Sequence, residues 1–110
     1  MNWRAVMIYV LAFVRTKPGM VSQALDIYRE LVPKVMANEP GCLAYEPTMD
    51  LDLCLSNQDK DKDMIVVNER WKTIDDFKAH LNMPHSIEFR SRIKHYLNER
   101  IVVRITQAAI

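Results

Sequence analysis

Ten consecutive residues, Ala5 to Val14, are apolar without interruption. The run is rich in β-branched and aromatic side chains and far shorter than the roughly 20 residues that cross a bilayer, so it reads as a strand. Side chains alternate across a strand, which places Met7, Tyr9, Leu11 and Phe13 on one face and Val6, Ile8, Val10, Ala12 and Val14 on the other. Both faces demand burial, because a half-solvated strand would alternate apolar with polar residues. A chain of 110 residues, 49% of them hydrophobic, supports a real core and reads as one small domain over residues 1–110. Its own helices can cover only one side of a sheet, so the second side needs another cover.

The rest of the chain supplies the layers. Lys17-Pro18-Gly19 breaks the strand, and Val21, Ala24, Leu25, Tyr28, Val32, Val35 and Met36 follow at helical spacing. Pro33 falls inside that pattern and predicts a kink or an early break near Leu31 or Val32. After Pro40-Gly41, Cys42 to Tyr45 opens a second strand, bent or bulged around Pro47 and running toward Leu55. Asp50, Asp52, Asp59, Asp61 and Asp63 lack the glycine and terminal glutamate of a calcium loop, so this segment reads as a solvated hairpin and no metal is expected. Met64 to Trp71 is a third strand and Ile101 to Thr106 a fourth, while Phe89, Ile93, Tyr96 and Leu97 mark a last helical face with Arg90 and Lys94 turned to solvent. The order β-α-β-β-α-β is the ferredoxin-like α+β pattern, with the helices on one face of an antiparallel sheet.

Candidate chemistry gathers between Glu69 and His85. Trp71 ends the third strand, and the pleat puts Glu69 on its face while Asn68 and Arg70 point the other way. Thr73 can cap the next helix, with Asp75 and Asp76 favouring its positive start. Ile74, Phe77 and Leu81 then share a buried stripe that His80 flanks. Pro84 suits the first turn of another helix and sets His85 at the corner, near a pocket mouth. Each histidine reads equally as a hydrogen-bonded structural residue or as a proton acceptor.

Composition narrows the partners. Fifteen basic and fourteen acidic residues leave a formal charge of +1, and no basic cluster is interleaved with aromatics, so nucleic acid is not an expected partner. No segment is long enough for a membrane span and no secretory cleavage pattern is visible, which makes a cytoplasmic location the expectation. Cys42 and Cys54 are not spaced as a metal or redox motif and read as two buried thiols.

Three motifs in order, Lys17-Pro18-Gly19, then Glu39-Pro40-Gly41-Cys42-Leu43 with Tyr45, then Glu69-x-Trp71 followed by Ala79-His80 and Pro84-His85, resemble the antibiotic biosynthesis monooxygenase superfamily, in particular its quinol-monooxygenase-like branch. The resemblance implies a homodimer, in which two sheets pack face to face as a dimeric α+β barrel and supply the missing cover. It further implies an oxidation by O₂ of a small quinol, phenol or anthrone with no bound cofactor, because such a substrate, once deprotonated, can itself give an electron to O₂. Trp71, His80 and His85 are then the candidate catalytic residues, as proton acceptors and as an indole donor to an oxyanion. Tyr45, Glu69, Asn68 and Phe77 are the candidate substrate contacts.

Departures from the family pattern bear on the mechanism. The anthrone-oxidising members carry an asparagine and a tyrosine where this chain has Val67 and Phe77, and Asn68 could replace the amide only through a bulge. Arg90 stands where the haem-degrading members place their axial histidine, so haem is not expected. Three classes stay open: the oxygenase, an isomerase of a small oxygenated metabolite on the same scaffold, and a non-catalytic small-molecule-binding dimer.

Overall fold

The structure, a computed structural model, describes residues 6–110. Strands β1 (Ile8–Arg15), β2 (Cys42–Met49), β3 (Met64–Trp71) and β4 (Val102–Gln107) form one antiparallel sheet in the order β2-β3-β1-β4. Helices α1 (Val21–Asn38), α2 (Ile74–His80) and α3 (Pro84–Ile93) complete the ferredoxin-like α+β fold, the second helical region being divided at Pro84 as the sequence suggests. Among the described residues no helix is long and apolar enough to cross a membrane.

The alternation read in the first strand holds from Ile8 onward, while Ala5 lies outside the described residues. Ile8, Val10, Ala12 and Val14 are buried and lie opposite Trp71, Glu69, Val67 and Ile65 of β3. Residues of α1 close over them, with Val21, Ala24, Ile27, Tyr28, Leu31 and Val35 turned inward. Each fully buried Val or Ile contributes roughly 1.5–3 kcal/mol, so this layer holds the protomer together. The opposite face carries Tyr9, Leu11, Phe13, Val66 and Val102, over which no helix of the described residues lies, and Tyr9 is 39% exposed.

Several details depart from the sequence reading. Helix α1 runs without a break through Pro33, because Pro33 and Arg29 lie on its exposed side, where water can satisfy the carbonyl that proline leaves free. Met36 is exposed, and Ile27 and Leu31 occupy the buried stripe instead. The irregularity in β2 falls between Cys42 and Ala44 and not at Pro47, and the strand stops at Met49. Beyond it, the acidic side chains fold back on their own segment: Asp50 accepts from the Asp61 N–H at 2.6 Å and Asp52 pairs with Lys60 at 2.7 Å. Leu51, Leu53 and Leu55 are left exposed, and Cys54 is an exposed thiol with φ 58° where a buried one was expected. The last helix ends at Ile93, so Tyr96 and Leu97 follow through a short 3₁₀ turn.

One glycine governs how α2 meets the sheet. A Cβ built on Gly41 would overlap the side chain of Asp76 in the first turn of α2, so only glycine allows the start of β2 and the start of α2 to approach this closely. The Lys72 N–H donates to the Gly41 carbonyl at 2.9 Å and locks the contact.

Candidate active site

The corner between α2 and α3 is built as its capping residues dictate. Thr73 accepts from the Asp76 N–H at 3.1 Å and opens α2. Pro84 opens α3 in its first turn, after Met83 in extended backbone. Because α2 ends at His80, Leu81 falls in the turn and is 42% exposed, and His80 takes the inward position beside Phe77. A histidine inside needs partners, and it has them.

Glu39, at the C-terminal cap of α1, meets that corner. Its N–H donates to the Val35 carbonyl and its own carbonyl accepts from the Cys42 N–H, which aims the buried side chain at the histidines. Both carboxyl oxygens lie 3.0 Å from His80 Nδ1, and Oε2 lies 2.6 Å from His85 Nε2. The Ser86 hydroxyl is 3.4 Å from the same His80 nitrogen. With Glu39 as a carboxylate, which accepts only, both facing ring nitrogens carry protons, and His80 keeps a lone pair on Nε2. Burial lowers the His80 pKa, although Glu39 works against it, so the ring is neutral at pH 7. Glu39, His80 and His85 also offer one ligand atom each within 4.8 Å of one another, the donor set of a two-histidine, one-carboxylate metal site. Here each of those atoms is engaged in a hydrogen bond to another member.

His80 borders a cavity of about 220 Å³ between the sheet and the helices. Tyr28, Tyr45, Phe77 and Phe89 form most of its aromatic wall, with Ala12, Ile101 and Val103 along the sheet side. The Tyr45 and His80 rings are 5.5 Å apart and the Trp71 and His80 rings 4.7 Å. Glu69, Ser86 and Arg90 are its other polar or charged contacts. Burial raises the Glu69 carboxyl to about 7, against the Trp71 hydrogen bond and with help from the charge of Glu39. Burial, and then Glu69, push the Tyr45 phenol well above its ordinary range.

The candidate residues thus separate. His80, Tyr45, Glu69 and Phe77 meet at the cavity. Trp71 is fully buried behind it, and its indole donates to Glu69 Oε1 at 3.0 Å and not to the cavity, which corrects the reading of a free oxyanion donor. His85 is not at the mouth but behind His80, across Glu39. Asn68 does not reach the cavity: β3 carries no bulge there, so its side chain stays on the open face and donates to Thr48 Oγ1 at 3.2 Å. Arg90, expected in solvent, is exposed but also borders the cavity and donates to the Leu81 carbonyl at 2.7 Å. Sequence reasoning missed Glu39 and Ser86 as site residues; Glu39 was visible only as the first letter of a turn motif, although a glutamate beside a helix end and two unpaired histidines was a usable signal.

Comparisons with known proteins converge. Residues 7–92 match the family model described as "Antibiotic biosynthesis monooxygenase". YgiN of Escherichia coli K12, named a "probable quinol monooxygenase", is 35% identical over 106 residues, covering 94% of this chain and 100% of its own. A solved antibiotic biosynthesis monooxygenase shares 27% identity with a TM-score of 0.77 over 94% of this chain and 99% of that one. The fold is shared as well with a Caulobacter crescentus CB15 protein, at a TM-score of 0.82 and 22% identity over 98% of this chain and 94% of that one.

Proposed function

The chain belongs to the antibiotic biosynthesis monooxygenase family, and on that premise we propose that it is a homodimeric, cytoplasmic monooxygenase that oxidises a small quinol or related phenol with O₂ and without a bound cofactor. One observation carries this reading: a buried, neutral His80, held through Nδ1 by Glu39, borders a cavity walled by aromatic rings. Its remaining nitrogen can take the hydroxyl proton of a bound quinol, and the resulting anion is electron-rich enough to reduce O₂ by one electron. The cavity is smaller than the roughly 300–1,000 Å³ of drug-sized sites, which favours a single ring over a three-ring anthrone. The uncovered apolar face of β1 supports the dimer, and the free thiols Cys42 and Cys54 suit a reducing compartment.

A panel of quinols and phenols in an oxygen electrode tests the activity. His80→Ala should lower kcat by about 10²- to 10⁴-fold on any substrate the parent oxidises, with the fold retained. Full activity in that variant removes His80 from the chemistry. Glu69 and His80 border the same cavity, and such a pair also suits an isomerase that moves a hydrogen within a small oxygenated metabolite. Conversion of such a metabolite without oxygen uptake would put that reading first; melting shifts with ligands but no product would leave a binding dimer.

A further inference from the structure

Glu69 enters the cavity from the middle of the sheet. Its cross-strand neighbours are Val10 of β1 and Tyr45 of β2, and it is only 7% exposed. Its hydrogen bond is the one from the Trp71 indole, and among the described residues no cation pairs with it. The titratable groups around it are Tyr28 from α1, Tyr45 and Cys42 from β2 and Glu39 from the end of α1, with His80 of α2 and Arg90 of α3 on the same cavity. Arg90 is exposed and bonded to the Leu81 carbonyl, so it does not neutralise the carboxyl. A buried carboxyl without a positive partner holds its proton, because an unpaired charge in an apolar wall costs more than protonation. The indole also selects where that proton sits: Oε1 accepts from Trp71, which leaves Oε2 as the hydroxyl.

We propose that Glu69 is a second catalytic residue, a carboxylic acid that delivers a proton to the oxygen intermediate while His80 acts as the base. The proposal rests on the oxygenase reading, and its steps balance. His80 takes a hydroxyl proton from the quinol; the anion gives one electron to O₂, and the two radicals join through a C–O bond as a peroxide anion. Glu69 protonates the terminal oxygen. The C–H proton on the same carbon then returns to the Glu69 carboxylate as the O–O bond breaks, and the departing hydroxide takes the proton held by His80. The sum is quinol plus O₂ giving a hydroxylated quinone plus water, with both side chains back in their starting states. The same division of labour, an acid held neutral beside a base held neutral, is the general way one pocket runs both directions of proton transfer.

Two measurements on the whole 110-residue chain test it. Infrared difference spectra of the parent against Glu69→Gln should show a protonated carboxyl stretch at about pH 6 that fades by about pH 9, with no substrate needed. In turnover, Glu69→Gln should lower kcat by about 10²-fold or more with KM changed little, and should lose the alkaline limb of the parent pH profile. Glu69→Asp, which keeps an acid, should retain the band and part of the rate; that guards against a fold defect in the glutamine variant. Absence of the band overturns the proposal. So does a Glu69→Gln enzyme with the parent's rate and pH profile, and in that case the oxygenase reading survives. A parent that oxidises nothing on the panel, even with the band present, overturns both the oxygenase reading and the assignment of this proton to a peroxide oxygen.

Discussion

The two faces of the sheet are supplied by the same strands, yet they finish differently. On the helix side Ile8, Val10, Ala12 and Val14 are buried, and the carboxyl, imidazole and hydroxyl groups near them are buried too. On the open side Tyr9 is 39% exposed, Leu11, Phe13 and Val66 are half-buried and Val102 is exposed. Hydrophobicity along β1 does not distinguish the faces; the helices do. Where they seal the sheet, water is excluded and polar groups must answer to one another, which shifts their proton affinities. Where they are missing, apolar side chains of the strands stay partly exposed. The proposed chemistry belongs to the first face and the proposed dimer to the second.

The largest expected effect breaks the sealed side. Glu39→Ala leaves two buried donors, His80 Nδ1 and His85 Nε2, without their shared acceptor and should destabilise the protein by about 2–5 kcal/mol in chemical denaturation, at about 1–3 kcal/mol per unsatisfied donor, while Glu39→Gln should cost less. A loss under about 1 kcal/mol would mean that the cluster is solvated after all. Next comes the pH dependence of stability. Glu69 is raised from 4.5 to about 7 in the fold, so from about pH 4.5 upward the unfolded chain ionises first and stability falls, by roughly 3 kcal/mol, until about pH 7. His80, with its pKa lowered from 6.5, works the other way: its contribution is complete above that value and is lost as pH falls. Both proteins share His80, so the slope that separates the parent from Glu69→Gln in thermal melts between about pH 4.5 and 7 belongs to Glu69.

The open side should respond differently. Phe13→Glu is expected to weaken the dimer by about 2 kcal/mol, or some 30-fold in Kd, with the circular dichroism of the protomer unchanged. Size-exclusion chromatography with light scattering checks it, and a parent that runs as one 12.9 kDa protomer at micromolar concentration would end the comparison between a sealed face and a docking face. The smallest effect returns to the corner: Thr73→Ala should cost about 1 kcal/mol through the lost cap on α2, visible as a small drop in Tm.

Most of the fold was legible because its signals are local. Alternation in Ile8 to Val14, the cap at Thr73 and the proline at the start of α3 each act within a few residues. The site was legible in part. His80 and Glu69 could be placed on their elements, but Glu39 lies 41 residues from His80, and no periodicity announces a contact that only the tertiary fold creates. The inward turn of His80 in place of Leu81 depended on where α2 stops, which propensity does not locate to one residue. Leu51, Leu53 and Leu55 have the period of a strand, yet the aspartates between and beyond them bind their own backbone and Lys60, and local hydrogen bonds prevailed over pattern.

The contact of Gly41 with Asp76 gives the protein a point of failure remote from its chemistry. A side chain at position 41 would overlap the Asp76 side chain, so Asp76 or the start of α2 has to give way, and His80 closes that same short helix four residues on. Inheritance of one added methyl group could thus silence the protein with every proton-handling residue intact. A lineage that keeps all of those residues but has lost this glycine should not be credited with the same activity.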